Sequence, residues 1–117
     1  MSETLTPLDC LYQGDTLIAN LPQQFESDGV TPKDITGYTC SIAFKTSRND
    51  PTELYSQDDN VLTDPVNGNH TFTIAAATTG GWPTGTTIWY DMQLEDPSGI
   101  KTTVQLGTIV TLKPVHN

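Results

Sequence analysis

The chain has 117 residues, with 14 acidic side chains against 5 basic ones and a net charge of −9 with the histidines neutral. That length fits one domain with a modest core. The acidic balance leaves no positive footprint for phosphates, so neither nucleic acid nor an anionic membrane is expected as a partner.

Residues 1–7 are polar without a core-facing pattern and read as an N-terminal arm that orders against a neighbour. A β-sandwich is expected over residues 8–113, followed by a short tail at 114–117. Within the sandwich, an apolar patch at 8–12 suits a short edge strand. Residues 15–21 alternate Leu17, Ala19 and Leu21 on one side, and Pro22 ends the run. After the Asp28-Gly29 turn and the corner Asp34-Ile35-Thr36-Gly37, residues 38–45 place Tyr38, Cys40, Ile42 and Phe44 at every second position. Successive strand residues point to opposite faces, so this spacing puts one face on a core.

A turn cluster at 46–51 leads to a short strand at 52–56 centred on Leu54 and Tyr55. Breakers fill 57–69, where Val61 and Leu62 are read as dipping towards the core. Asn67-Gly68 is a turn opening a strand at 70–76, with Phe72, Ile74 and Ala76 inward. Residues 75–86 form a loop with room for one helical turn before Gly80-Gly81. The clearest strand is 87–95, with Ile88, Tyr90, Met92 and Leu94 on one face and Trp89 on the polar one. Asp96-Pro97-Ser98-Gly99 is a hairpin loop. The return strand, 101–112, carries Val104, Leu106, Thr108, Val110 and Leu112 in one register and Ile109 on the other, with Gly107 marking a bulge or a close backbone approach. About seven strands at this rhythm indicate an all-β, immunoglobulin-like antiparallel sandwich.

Cys10 and Cys40 are the only cysteines. No basic, apolar and small-residue succession marks a secretory signal, so two reduced thiols are expected, Cys40 as core. No apolar run reaches the length of a bilayer span. Asp58, Asp59 and Asp64 offer oxygen ligands, but their spacing departs from a calcium loop and fits a solvated acidic turn. His70 and His116 lack partners at zinc spacing. The carboxylates sit in turns and no nucleophile elbow surrounds a serine. No catalytic residue, metal or cofactor is expected, and the chain reads as non-enzymatic.

Three aromatics are candidates for interaction: Trp82, Trp89 and Tyr55. Trp82, in a Gly-Gly-Trp-Pro loop, either plugs one end of the sandwich or contributes to a contact surface. Trp89 either covers a second small cluster or anchors an interface, as aromatic residues do at binding hot spots. Stacking on a sugar is the third reading, and it needs two or more coplanar aromatics.

The order of turns resembles a family. Gly14-Asp15-Thr16 is followed by Ser27-Asp28-Gly29-Val30 and by Asp34-Ile35-Thr36-Gly37-Tyr38-Thr39. Then come 66–74 (VNGNHTFTI), Trp82-Pro83-Thr84-Gly85, 90–99 (YDMQLEDPSG) and Gly107-Thr108-Ile109-Val110. This is similar to the small immunoglobulin-like domains of tailed-bacteriophage virion proteins, such as the N-terminal domain of baseplate upper proteins. The resemblance implies a structural protein of the tail, baseplate or collar, or a capsid decoration (cement) protein, contacting other virion subunits in multiple copies. It implies a place in the virion after assembly in the bacterial host cytoplasm, and brings no catalytic residues. The alternative is a carbohydrate-binding or adhesin module recognising a cell-surface glycan.

Overall fold

The computed structural model describes residues 2–5, 10–49 and 51–113. Among the described residues eight strands are formed: β1 (Ser2–Leu5), β2 (Cys10–Tyr12), β3 (Thr16–Asn20), β4 (Thr39–Lys45), β5 (Tyr55–Asp59), β6 (Thr71–Ile74), β7 (Thr87–Glu95) and β8 (Lys101–Leu112). A single helical turn, α1 (Ala76–Thr79), follows β6. Two sheets result, ordered β1-β3-β6 and β2-β8-β7-β4-β5. Pairing is antiparallel except at two edges, where β1 runs parallel to β3 and β2 parallel to β8. The protein is an immunoglobulin-like β-sandwich. Part of the expected N-terminal arm, Ser2–Leu5, is strand β1 on the chain's own sheet; Met1, Thr6, Pro7 and the tail at 114–117 lie outside the described residues.

The core lies where the alternation put it. Leu17, Ala19, Ile42, Phe44, Phe72, Ile74, Ile88, Tyr90, Met92 and Leu94 are all buried. In β4 the pairing Ile42↔Met92 and Phe44↔Tyr90 aligns the inward rows of two neighbouring strands. Cross-strand rows of this kind are the unit of sheet stabilisation. Strand β5 begins three residues later than expected. Val61 does not dip inward; it is exposed, and Leu62 alone of the pair packs on the core.

The largest departure from the sequence pattern is in β8. Met92 pairs with Gln105, yet its neighbour Gln93 pairs with Thr103, so Val104 is an extra residue without an opposite number. Such a bulge exchanges the two faces of everything beyond it, because the side-chain period is two. Val104 packs on the core, whereas Leu106, two residues on, is 62% exposed. Past the bulge it is Ile109 and Thr111 that are buried, with Val110 and Leu112 on the outside. Gly107 sits opposite Tyr90, and a methyl group there would lie 2.5 Å from the tyrosine oxygen. Glycine is therefore required by the tyrosine ring that occupies the missing side chain's place. Gln105 donates to the same Tyr90 hydroxyl at 3.0 Å.

Polar turns close the strands. Asp28 accepts from the backbone N–H groups of Val30 and Thr31, both at 2.8 Å, and from the Thr31 hydroxyl at 2.6 Å. These donors hold its carboxyl down to about 2. Cys40 is a buried free thiol. Burial, then the Asp59 carboxylate paired opposite it, pushes this thiol from 9.0 up to about 12. The folded thiol thus keeps its proton over a window in which the unfolded chain releases it. Its contribution to stability is complete below about pH 9 and declines as pH rises towards 12. Denaturant midpoints measured along an alkaline series should fall more steeply for the wild type than for Cys40→Ala.

Candidate interaction surface

The outward face of the five-stranded sheet is assembled from alternate residues of each strand. On β7 these are Thr87, Trp89, Asp91 and Gln93; on β4 they are Ser41, Ala43 and Lys45. Register places Trp89 between Thr108 and Lys45, and Asp91 between Leu106 and Ala43. At the far edge Tyr12 pairs with Leu112. The bulge has already turned Leu106, Val110 and Leu112 outward, and they join Tyr12 and Trp89 on one surface. Their exposures are 62%, 38%, 36%, 40% and 37% in that order. An acidic protein thus presents a row of large apolar side chains on one sheet.

Beside this row the face is concave. A groove of about 650 Å³ runs over β5, β4, β7 and β8, lined by Trp89, Leu106 and charged groups of both signs. Lys45, Arg48 and Lys101 supply the cations, and Glu53, Asp58 and Asp91 the anions. The Arg48 guanidinium lies over the Trp89 ring, 5.8 Å from its centroid, a cation–π distance. Burial, and secondarily the nearby Glu53 carboxylate, raises the Asp91 carboxyl above the usual range, with Lys45 acting in the opposite direction. At the hairpin end Lys101 reaches Glu95 at 3.9 Å, a solvent-exposed pair of small energetic consequence.

Of the three aromatic candidates only Trp89 is on this surface. Trp82 is 3% exposed and packs on Phe44 with ring centroids 4.8 Å apart. Its loop is tied down from several directions. Gln13 Nε2 donates to the Trp82 carbonyl at 2.8 Å, Thr79 Oγ1 donates to the Asp15 carbonyl at 2.6 Å, and Thr111 Oγ1 donates to the Pro83 carbonyl. Tyr55 is half-buried, 6.3 Å from Trp82 and 6.5 Å from Phe44. Trp82 is therefore a member of the core and does not supply the contact surface, whereas Tyr55 packs against the core and stays partly exposed. Trp82 plugs the sandwich, because a tryptophan beside Gly-Gly has the reach and the slack to fold inward.

The sequence did not signal the polar chain on the inner side of β5. Tyr55 Oη donates to Gln57 Oε1 at 2.7 Å, and Gln57 Nε2 donates to Asp59 Oδ1 at 3.1 Å. Asp59 Oδ2 lies 2.7 Å from Nε2 of His70, which is 2% exposed. The Thr63 N–H points at His70 Nδ1 from 3.2 Å, so Nδ1 accepts and Nε2 carries the proton given to Asp59. This bond joins β5 of one sheet to the residue preceding β6 of the other. Only the period-two spacing of Tyr55, Gln57 and Asp59 hinted at a shared face.

The acidic trio of the 57–69 segment is dispersed. Asp58 faces the outer groove, Asp59 holds His70, and Asp64 accepts from the side-chain amides of Asn67 and Asn69 at 3.1 and 3.4 Å. Among the described residues no three His, Cys, Asp or Glu side chains form a group able to hold a metal. His116 lies outside the described residues. No helix among them is long and apolar enough to cross a membrane.

No protein-family model matches the chain, and no curated protein does. Among solved structures, an Fn3-like protein from Clostridium thermocellum is similar at 15% identity, over 80% of this chain and 86% of that one, with a TM-score of 0.33. Nothing about the function of this chain follows from that likeness.

Proposed function

We propose that the chain is a non-enzymatic protein-binding module that works through the outer face of its five-stranded sheet. The carrying observation is the outward apolar row of Tyr12, Trp89, Leu106, Val110 and Leu112. Solvent-exposed apolar residues scattered singly need no explanation, but five large ones gathered on one sheet face beside a charged groove mark a contact surface. Trp89, under the Arg48 guanidinium and lining the groove together with Leu106, has the amphipathic character of a hot-spot residue.

The sequence resemblance makes a tailed-bacteriophage particle the setting, with other virion subunits as partners and assembly in the host cytoplasm. Quantitative mass spectrometry of purified particles against free lysate tests it. The wild-type chain should be enriched in particles at a fixed ratio to the major structural proteins, and Trp89→Ala should reduce that ratio. A chain confined to the free lysate overturns the virion role. The glycan alternative has less support, since Trp82 is a core residue, Tyr55 is half-buried against it and Trp89 already carries a guanidinium on its ring.

A further inference from the structure

We propose that the occupant of this face is the same face of a second copy, giving a two-fold symmetric dimer. The inference rests on reading the outer sheet face as an interface and names its partner. Its main support is the distribution of charge. Lys45, Arg48 and Lys101 border the groove, three of the five basic residues in the chain, and they are matched there by three acids, Glu53, Asp58 and Asp91. The two remaining basic residues are Lys33 and Lys113, so the rest of the chain carries the whole of the net charge of −9.

Two such molecules approaching by any other surface bring like charges together within a Debye length of roughly 8 Å at physiological salt. Approaching by this face, each meets equal numbers of both signs. A two-fold interface requires one patch to complement itself, which a balanced charge set beside an apolar row does. Cations and carboxylates of one copy can then pair with their opposites across the axis, while the apolar rows of the two copies cover one another. A strongly basic partner would find more to bind elsewhere on the chain, and a strongly acidic one would be repelled by the net charge of −9.

Sedimentation equilibrium of the isolated chain over a wide concentration series measures this directly. The wild type should pass from the mass of one chain to that of two. Leu106→Asp and Trp89→Ala should raise the midpoint of that transition about tenfold or more, as truncation of a buried interface anchor does. Val30→Asp serves as the control, since Val30 is 78% exposed and lies outside the groove lining. Thermal midpoints of the variants check that each remains folded, which the exposure of Leu106 and Val30 favours.

A single-chain mass at every concentration overturns the proposal. So does a dimer that Leu106→Asp and Trp89→Ala leave intact, or one that Val30→Asp weakens as much. A monomer that still enters particles removes self-association alone and leaves the virion role standing. A dimer absent from particles does the reverse.

Discussion

Replacing Phe44 by alanine should destabilise the protein by about 3–5 kcal/mol, the range for truncating a fully buried aromatic side chain. Phe44 is 0% exposed and stands in the inward row of β4, where it pairs with Tyr90 on one side and Tyr55 on the other. Its ring is 4.8 Å from Trp82, 6.2 Å from Tyr90 and 6.5 Å from Tyr55 by centroids. Removing it leaves a void bounded by three large aromatic rings, which are held by their own strands and loop and have little freedom to collapse inward. Reversible denaturation in urea, followed by tryptophan fluorescence, reads the effect as a large drop in midpoint with an unchanged slope. A loss below about 1 kcal/mol would mean that the Trp82 loop moves in to fill the space.

The second large effect is expected at Gly68. Its φ is +73°, in the left-handed region that glycine enters without steric cost, and it follows the 3-10 turn Pro65–Asn67. Space is the greater constraint. A methyl group at this position would lie 2.4 Å from the Gln24 carbonyl oxygen and 2.8 Å from that of Lys33. Both obstacles are backbone, and both belong to a segment docked on the turn, with Gln24 N–H donating to the Gly68 carbonyl at 2.9 Å. Neither can swing aside as a side chain would. Gly68→Ala should therefore cost at least about 2 kcal/mol from left-handed strain and overpacking together. Thermal unfolding tests this, with Gly29→Ala as the comparison. Gly29 has the same sign of φ and open space around it, so its loss should be the smaller of the two.

These two positions differ in how far the sequence discloses them. Phe44 is predictable from alternation alone, since β4 is bounded by turns and paired on both sides in the structure. Gly68 is predictable as a turn residue, but its backbone neighbours come from more than thirty residues upstream, a proximity no local pattern contains. The His70–Asp59 bond is of the same kind. Each residue looks unremarkable in its own segment, and only closure of the two sheets brings a buried imidazole against a carboxylate at 2.7 Å.

By itself the sequence determined the sandwich, the seven strands of residues 8–113 and the identity of the core residues in β3, β4, β6 and β7. The reason is that a half-buried strand writes its inward face every second residue, and turn chemistry marks its ends. Tertiary structure decided which surface is available for contact. Trp82 turned into the core because loop ties and neighbouring rings outside its own segment fix it there, and Tyr55 packs half-buried beside it. Trp89 stayed outside because its strand neighbours Ile88 and Tyr90 are buried, leaving it the opposite face. In β8 a single unpaired residue, Val104, reversed the register, so that one uniform alternation is split between core and solvent. A bulge is set by pairing with another strand, not by the strand's own residues, and it is this pairing that turned Leu106, Val110 and Leu112 outward.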